Sequence, residues 1–200
     1  NQIEIFTRKS KRRIFIHQIK NLPKSLKKKV NVDLKKITSK KKNFSNFNFK
    51  KLPNLLGILN LTPDSFSDGG KFNKNAKSFQ HINNMIKYGA NIIDVGGEST
   101  RPGSKTINKI VEWKRVKNVI QKFKKKYKKT CLSIDTRKSL LMIKSIKYGV
   151  DLINDVSGFK YDQTGLIKLR KYNIAKVLHH MQGTPNTMQK NPNYKNVLLD

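Results

Sequence analysis

Residues 57–70, GILNLTPDSFSDGG, decide how this chain reads. Leu55 to Leu59 are apolar except for Gly57, as expected of a strand buried on both faces, and Asn60 stands where such a strand would end. Thr62-Pro63-Asp64 and Asp68-Gly69-Gly70 are turn formers, so the segment leaves the core and arches over something before the next helix. An apolar run opening into a loop with an amide, two carboxylates and paired glycines is how an active-site loop reads. A plain strand-to-helix connector has the same turn chemistry, and repetition is what separates the two.

Four further segments repeat the pattern. Residues 89–104, GANIIDVGGESTRPGS, run apolar through Ile92 and Ile93 and end in Asp94, Glu98, Thr100 and Arg101. CLSIDTRKS ends its apolar part at Asp135, GVDLINDVSGF at Asn154 and Asp155, and AKVLHHMQGTP at His179 and His180. Between them the spacing predicts helices near residues 75–88, 107–127, 137–148 and 164–172. Two of these close on Tyr88-Gly89 and Tyr148-Gly149, where glycine suits a left-handed cap. The predicted order is β, α, β, α, β, α, β, α, β. Strict alternation implies a parallel sheet with helical crossovers, either doubly wound or a (β/α)₈ barrel.

The acids choose a functional face. The chain has 12 Asp and Glu against 44 Lys and Arg, yet Asp64, Asp68, Asp94, Glu98, Asp135 and Asp155 all fall at proposed strand ends or in the loops just after them. In parallel α/β architectures those ends meet on one face, which holds the ligand site. Any one of these acids, Asp135 or Asp155 included, also reads as a helix cap; five strands ending alike favour a site. Asp135 and Asn154, one strand apart, offer a carboxylate acceptor beside an amide, which suits the edge of a flat heterocycle bearing ring N–H, amino and carbonyl groups. Asn60 offers a neutral oxygen of the kind Mg²⁺ accepts alongside water and phosphate. Arg101, in a Gly/Pro-flanked loop, suits an anionic group.

GILNLTPDSFSDGG, DVGGESTRPGS, SIDTRKS, INDVSG and HMQGTPNTMQ, in this order and spacing, closely resemble dihydropteroate synthase, a (β/α)₈ barrel family of folate synthesis; the resemblance runs from Leu55 to about Tyr194. The family joins 6-hydroxymethyl-7,8-dihydropterin diphosphate to p-aminobenzoate with Mg²⁺, releasing pyrophosphate and forming 7,8-dihydropteroate. The resemblance implies that Asn60 supports Mg²⁺ and the leaving diphosphate, and that the first loop closes with Asp68 near the developing cation and Phe66 beside the aminobenzoate. It places Thr100 near the diphosphate, Arg101 and Pro102 around p-aminobenzoate, and Asp135 and Asn154 on the pterin ring. Asp68, Asp135 and Arg101 are the expected catalytic residues. A homodimer in the cytoplasm is implied.

Three departures from the family stand out. His179 replaces a methionine that packs on the pterin, so the imidazole is expected to stack there or to weaken the pocket; adjacent strand residues face opposite ways, which argues against a His179-His180 metal site. Leu61 replaces a valine, a minor volume change. A full barrel needs about 250 residues, whereas five strands are visible and Asp200 falls within the reading of a fifth helix. The expectation is part of a longer chain, with about the first five βα units of the barrel. The family's later aspartate, lysine, arginine and histidine would lie beyond it, and the open sheet edges would favour aggregation.

Residues 1–52 read as a basic extension of unknown role, and residues 53–200 as the amino-terminal part of the barrel. The extension holds 17 Lys and Arg against Glu4 and Asp33. Lysine is abundant throughout and far outnumbers arginine, which reads as compositional bias and not as a specific nucleic-acid site. Ile14-Phe15-Ile16 alternates as an edge strand would. The single cysteine, Cys131, excludes an intramolecular disulfide and reads as a buried thiol. No stretch reaches the ~20 apolar residues of a membrane span. A net charge of +32 would draw in anionic ligands. The rival readings are a pterin-binding methyltransferase, against which the TPDSFSDGG and STRPGS loops speak, and a non-catalytic paralogue.

Overall fold

The computed structural model describes residues 1–7, 9–40, 43–44, 47–49, 53–62, 74–101 and 104–197. The chain divides into two compact units, one of Asn1–Lys42 with Asn193–Asp200 and one of Asn43–Pro192.

In the smaller unit β1 (Gln2–Phe6) and β2 (Lys11–Phe15) pair antiparallel, a 3₁₀ helix spans Ile16–Asn21, and α1 covers Lys24–Thr38. Ile14, Ile19 and Leu22 are buried against Ile3, Ile5, Leu26, Val30 and Leu34. Leu26, Val30 and Leu34 recur every four residues, so α1 lays one apolar stripe on the hairpin while Lys28, Lys29, Lys35 and Lys36 face water. The alternation expected through Ile16 stops at Phe15, because Ile16 already turns into the 3₁₀ helix and is exposed.

The larger unit alternates without exception: β3 (Leu55–Asn60), α2 (Lys74–Lys87), β4 (Ala90–Gly96), α3 (Lys109–Lys126), β5 (Cys131–Asp135), α4 (Ser139–Ile146), β6 (Leu152–Asp155), α5 (Gln163–Leu169) and β7 (Ala175–Leu178). The five strands lie in chain order and every neighbouring pair is parallel. A doubly wound sheet reverses its strand order at a switch point, whereas a barrel adds each strand beside the last. The sheet is therefore the first five strands, with the four helices between them, of a (β/α)₈ barrel; no helix follows β7 among the described residues, and Asp200, read as part of a fifth helix, lies outside them. Gly89 and Gly149 close α2 and the turn after α4 at φ 102° and 85°, the left-handed caps their sequence implies.

Alternation along each strand splits the two faces. Leu59, Ile93, Val95, Leu132, Ile134 and Ile153 form the main core with Ile82 of α2, Val116, Val119, Ile120 and Phe123 of α3, and Leu141 and Met142 of α4. On the opposite face, Ile92, Cys131 and Leu152 are buried around Phe47. That inner face changes character along the strands: Ile92, Asp94, Gly96 on β4; Cys131, Ser133, Asp135 on β5; Leu152, Asn154 on β6. It is apolar where the strands begin and polar where they end. Cys131 lies fully buried at the apolar end, and burial foremost, then the nearby Asp151 carboxylate, push its thiol up to about 12.

Candidate active site

Strand register brings three sequence-predicted positions, with Gly96 between them, to one level. Asn60 pairs with Gly96, Gly96 with Asp135, and Asp135 with Asn154, so these residues form a row across β3 to β6 on the inner face. Gly96 leaves a gap in the row. A Cβ there would lie 3.2 Å from Asn60 Oδ1 and 3.6 Å from Asp135 Oδ2, so glycine leaves the backbone bare between an amide oxygen and a carboxylate. Among the described residues no hydrogen bond reaches the Asp135 carboxylate. Burial, and then the charge of Asp94 one step below, raise it to about 7. Asn154 is fixed differently: its Nδ2 donates to Asp94 Oδ2 at 2.9 Å.

Asp155 takes no part in this row. Fully buried, it accepts from the Ser157 N–H at 2.8 Å, the Ser157 hydroxyl at 2.7 Å and the Phe159 N–H at 3.1 Å. It holds the turn in which Gly158 and Phe159 take positive φ of 59° and 64°. Of the two acids that also read as caps, Asp155 is spent on backbone and Asp135 is open to a ligand.

The second loop is built on a buried charge cluster. Glu98 accepts from the Ile107 N–H at 2.9 Å, from Arg137 Nη2 at 2.8 Å and from Lys138 Nζ at 2.9 Å. Lys138 also reaches Glu112 Oε2 at 2.5 Å, and the Thr136 hydroxyl donates to Glu112 Oε1 at 2.6 Å. All five side chains are buried. Burial would raise Glu98, but the Ile107 N–H, Lys138 and Arg137 outweigh it and hold the carboxyl below its ordinary value. The cluster ties Glu98, two residues before Thr100-Arg101, to the residues just after Asp135, and so couples the second loop to the end of β5. Farther out, Ser104 closes a turn back to Arg101 O at 3.1 Å and Ser99 O at 2.6 Å, which leaves Thr100 half-buried and Arg101 exposed at the tip.

Sequence reasoning placed Glu98 on this face but missed Glu112, Arg137 and Lys138. The signal was present: Glu112 lies on the same helical stripe as Val116, Val119, Ile120 and Phe123, where an acid is buried only if a cation meets it. His179 follows β7 by one residue, in the alternation that carries Ala175 and Val177 inward opposite Leu152 and Asn154, and it is exposed. Phe66, Asp68, Asp64 and Pro102 lie outside the described residues, as does most of the first loop. Among the described residues no group of three His, Cys, Asp or Glu side chains is arranged to hold a metal, and no helix is long and apolar enough to cross a membrane.

Comparison with known proteins places the chain in a family. The sequence profile of the family described as "Pterin binding enzyme" matches residues 56–200. The chain belongs to the pterin-binding enzyme family. Within that family, it is 40% identical over 148 residues to the dihydropteroate synthase of Neisseria meningitidis serogroup B, covering 73% of this chain and 51% of that protein. Among solved structures, the dihydropteroate synthase of Clostridium difficile in the presence of pteroic acid superposes with a TM-score of 0.67 at 36% identity, covering 80% of this chain and 56% of that one. The Xanthomonas albilineans dihydropteroate synthase with 4-aminobenzoic acid gives 0.64 at 34% identity, covering 74% of this chain and 51% of that one. The chain thus spans about half the length of the curated relatives it matches.

Proposed function

We propose that this chain carries the pterin-facing part of a dihydropteroate synthase, which condenses 6-hydroxymethyl-7,8-dihydropterin diphosphate with p-aminobenzoate to give 7,8-dihydropteroate and pyrophosphate. The observation that carries the reading is the row Asn60, Gly96, Asp135, Asn154: bare backbone at a glycine with hydrogen-bond acceptors on both sides, at the carboxyl ends of parallel strands. Relatives solved with pteroic acid and with 4-aminobenzoic acid support it.

In this reading Asp135 and Asn154 hold the pterin, and His179, one step beyond Val177, packs on the ring. Arg101 at the loop tip meets the aminobenzoate carboxylate, Thr100 the diphosphate, and Phe66, Asp68 and Pro102 complete the closing loops. The bond from the pterin methylene carbon to the diphosphate oxygen breaks, leaving a cation delocalised into the ring. Asp135 and Asp68 are complementary to that charge. The arylamine nitrogen then bonds to the carbon and loses a proton, while closed loops keep water from the cation.

The donor set fits Mg²⁺ of the kind that keeps several waters: Asn60 supplies one hard neutral oxygen beside the slot, and diphosphate oxygens supply the rest. When bound, the ion would neutralise the leaving diphosphate. We place the protein in the cytoplasm as a homodimer, with residues 1–52 as a basic extension and residues 53–200 in the barrel. The deciding assay is Mg²⁺-dependent formation of dihydropteroate by the protein at its native length, with Arg101→Ala raising the KM for p-aminobenzoate more than that for the pterin. Absence of turnover, with pterin binding intact, would overturn the synthase reading and keep the pterin site.

A further inference from the structure

The carboxylate beneath the row has no role yet. Asp94 pairs with Ser133 one level below Asn154, is 4% exposed, and sends Oδ2 to Asn154 Nδ2 at 2.9 Å across two strands. Its Oδ1 and the Ser133 hydroxyl have no hydrogen-bond partner among the described residues. Asp94 also has the Ser133 hydroxyl near it, but its one well-formed hydrogen bond among the described residues is to the Asn154 amide, and a buried acid so bonded acts on the orientation of that amide. A carboxamide can turn over, exchanging its oxygen for its NH₂ in nearly the same space. Beside a carboxylate it cannot, because the turned amide would press Oδ1 against Asp94 and leave two acceptors facing each other in a buried place. Asn154 is therefore held with one N–H down to Asp94 and with Oδ1 available to the row.

We propose that Asp94 is a positioning residue that locks Asn154 with its carbonyl oxygen toward the ligand, so that Asn154 and Asp135 together present adjacent acceptors selecting a heterocycle edge that carries neighbouring N–H and NH₂ donors. This rests on the pterin reading of the site and adds a rule for which ring it accepts. A ring with an acceptor at that edge is rejected by two lone-pair clashes, whereas an unlocked Asn154 could turn to meet it.

The test uses 6-hydroxymethylpterin as the probe, titrated calorimetrically into the protein at its native length and into three variants. Asp94→Asn places an amide opposite an amide, lets either turn, and is expected to bind at least about tenfold more weakly. Asn154→Asp sets two buried carboxylates together and is expected to lose binding altogether. The exchanged pair, Asp94→Asn with Asn154→Asp, rebuilds an N–H to carboxylate bond with an oxygen still toward the row, and is expected to return to within a few-fold of wild type. The affinity for p-aminobenzoate should not follow this pattern, which separates positioning from a general loss of structure. Equal pterin affinity in wild type and Asp94→Asn, or an exchanged pair no better than Asn154→Asp, would overturn the proposal. Should a variant not fold, the wild type still decides: the Asn154 side-chain NH₂ must give a hydrogen-exchange-protected resonance, and rapid exchange overturns the lock. A wild type that folds but binds no pterin would instead refute the functional reading beneath it.

Discussion

Replacing Lys138 with methionine removes the one cation that touches both buried glutamates. Among the described residues Glu98 keeps Arg137 at 2.8 Å and the Ile107 N–H, but Glu112 keeps only the Thr136 hydroxyl at 2.6 Å. Fully buried on α3, Glu112 is then a buried charge with no cation beside it among the described residues. Removing one partner of a buried pair costs ~3–5 kcal/mol. Lys138→Met should therefore be ~3–4 kcal/mol less stable at pH 7. The single tryptophan, Trp113, is buried one residue from Glu112 and reports the transition. In urea the midpoint should fall by roughly 1.5–2 M at pH 7. Adding Glu112→Gln, which leaves an oxygen for Thr136, should recover most of the loss. A deficit under about 1 kcal/mol at pH 7 would refute the account of this cluster.

Three further outcomes test other parts of the molecule. Asp135, raised to about 7, makes the free protein less stable as pH rises from the ordinary carboxylate range toward 7, since only the folded state resists ionisation; the ionised form is also the one that accepts hydrogen bonds from a pterin. Pterin affinity measured by titration should thus rise about tenfold per pH unit up to pH 7 and level off above it, and Asp135→Asn should abolish binding; equal affinity in that variant would remove Asp135 from the pocket. Gly96→Ala puts a methyl 3.2 Å from Asn60 Oδ1 and 3.6 Å from Asp135 Oδ2, so it should weaken pterin binding by ~1–2 kcal/mol while the urea midpoint hardly moves; unchanged affinity would mean that no ligand enters that slot. Cys131, with its thiol pushed up to about 12, should resist iodoacetamide at pH 8 in the folded protein and react promptly in denaturant, as mass spectrometry would show.

What the sequence revealed and what it concealed divide along a physical line. Alternation of apolar runs with helical spacing is written locally, and it located every strand of the parallel sheet and both glycine caps, although β3, expected to be buried on both faces, leaves Leu55, Leu56 and Ile58 exposed at the edge of the five-stranded sheet. Helix ends were drawn one to three residues away from the observed ones, as at residues 137–148 against Ser139–Ile146, since the residues after a strand serve loop and cluster before any helix begins. Winding direction was not legible, because a barrel and a doubly wound sheet share the same alternation and differ only in which strands become neighbours.

The site was legible to the extent that single residue types state their own chemistry. Asn60, Asp135 and Asn154 could be singled out as polar endings of apolar strands, yet their meeting on one level depends on register, which no local pattern records. Pairs separated by dozens of residues were further out of reach. Glu112 with Lys138 and Asp94 with Asn154 become partners only when the sheet closes, although each leaves a trace as a charge on an apolar stripe or inside an apolar strand. That trace has direct use. A charge at a position the fold must bury either has a partner elsewhere in the chain or serves a ligand. In this chain Glu112 finds a cation and stabilises the frame, Asp155 binds its own loop, Asp94 orients an amide, and Asp135 alone among these four receives no hydrogen bond from the described residues. The unmet acceptor at the end of β5 is thus where the chain's chemistry is expected, and the other three acids are the reason it stays open.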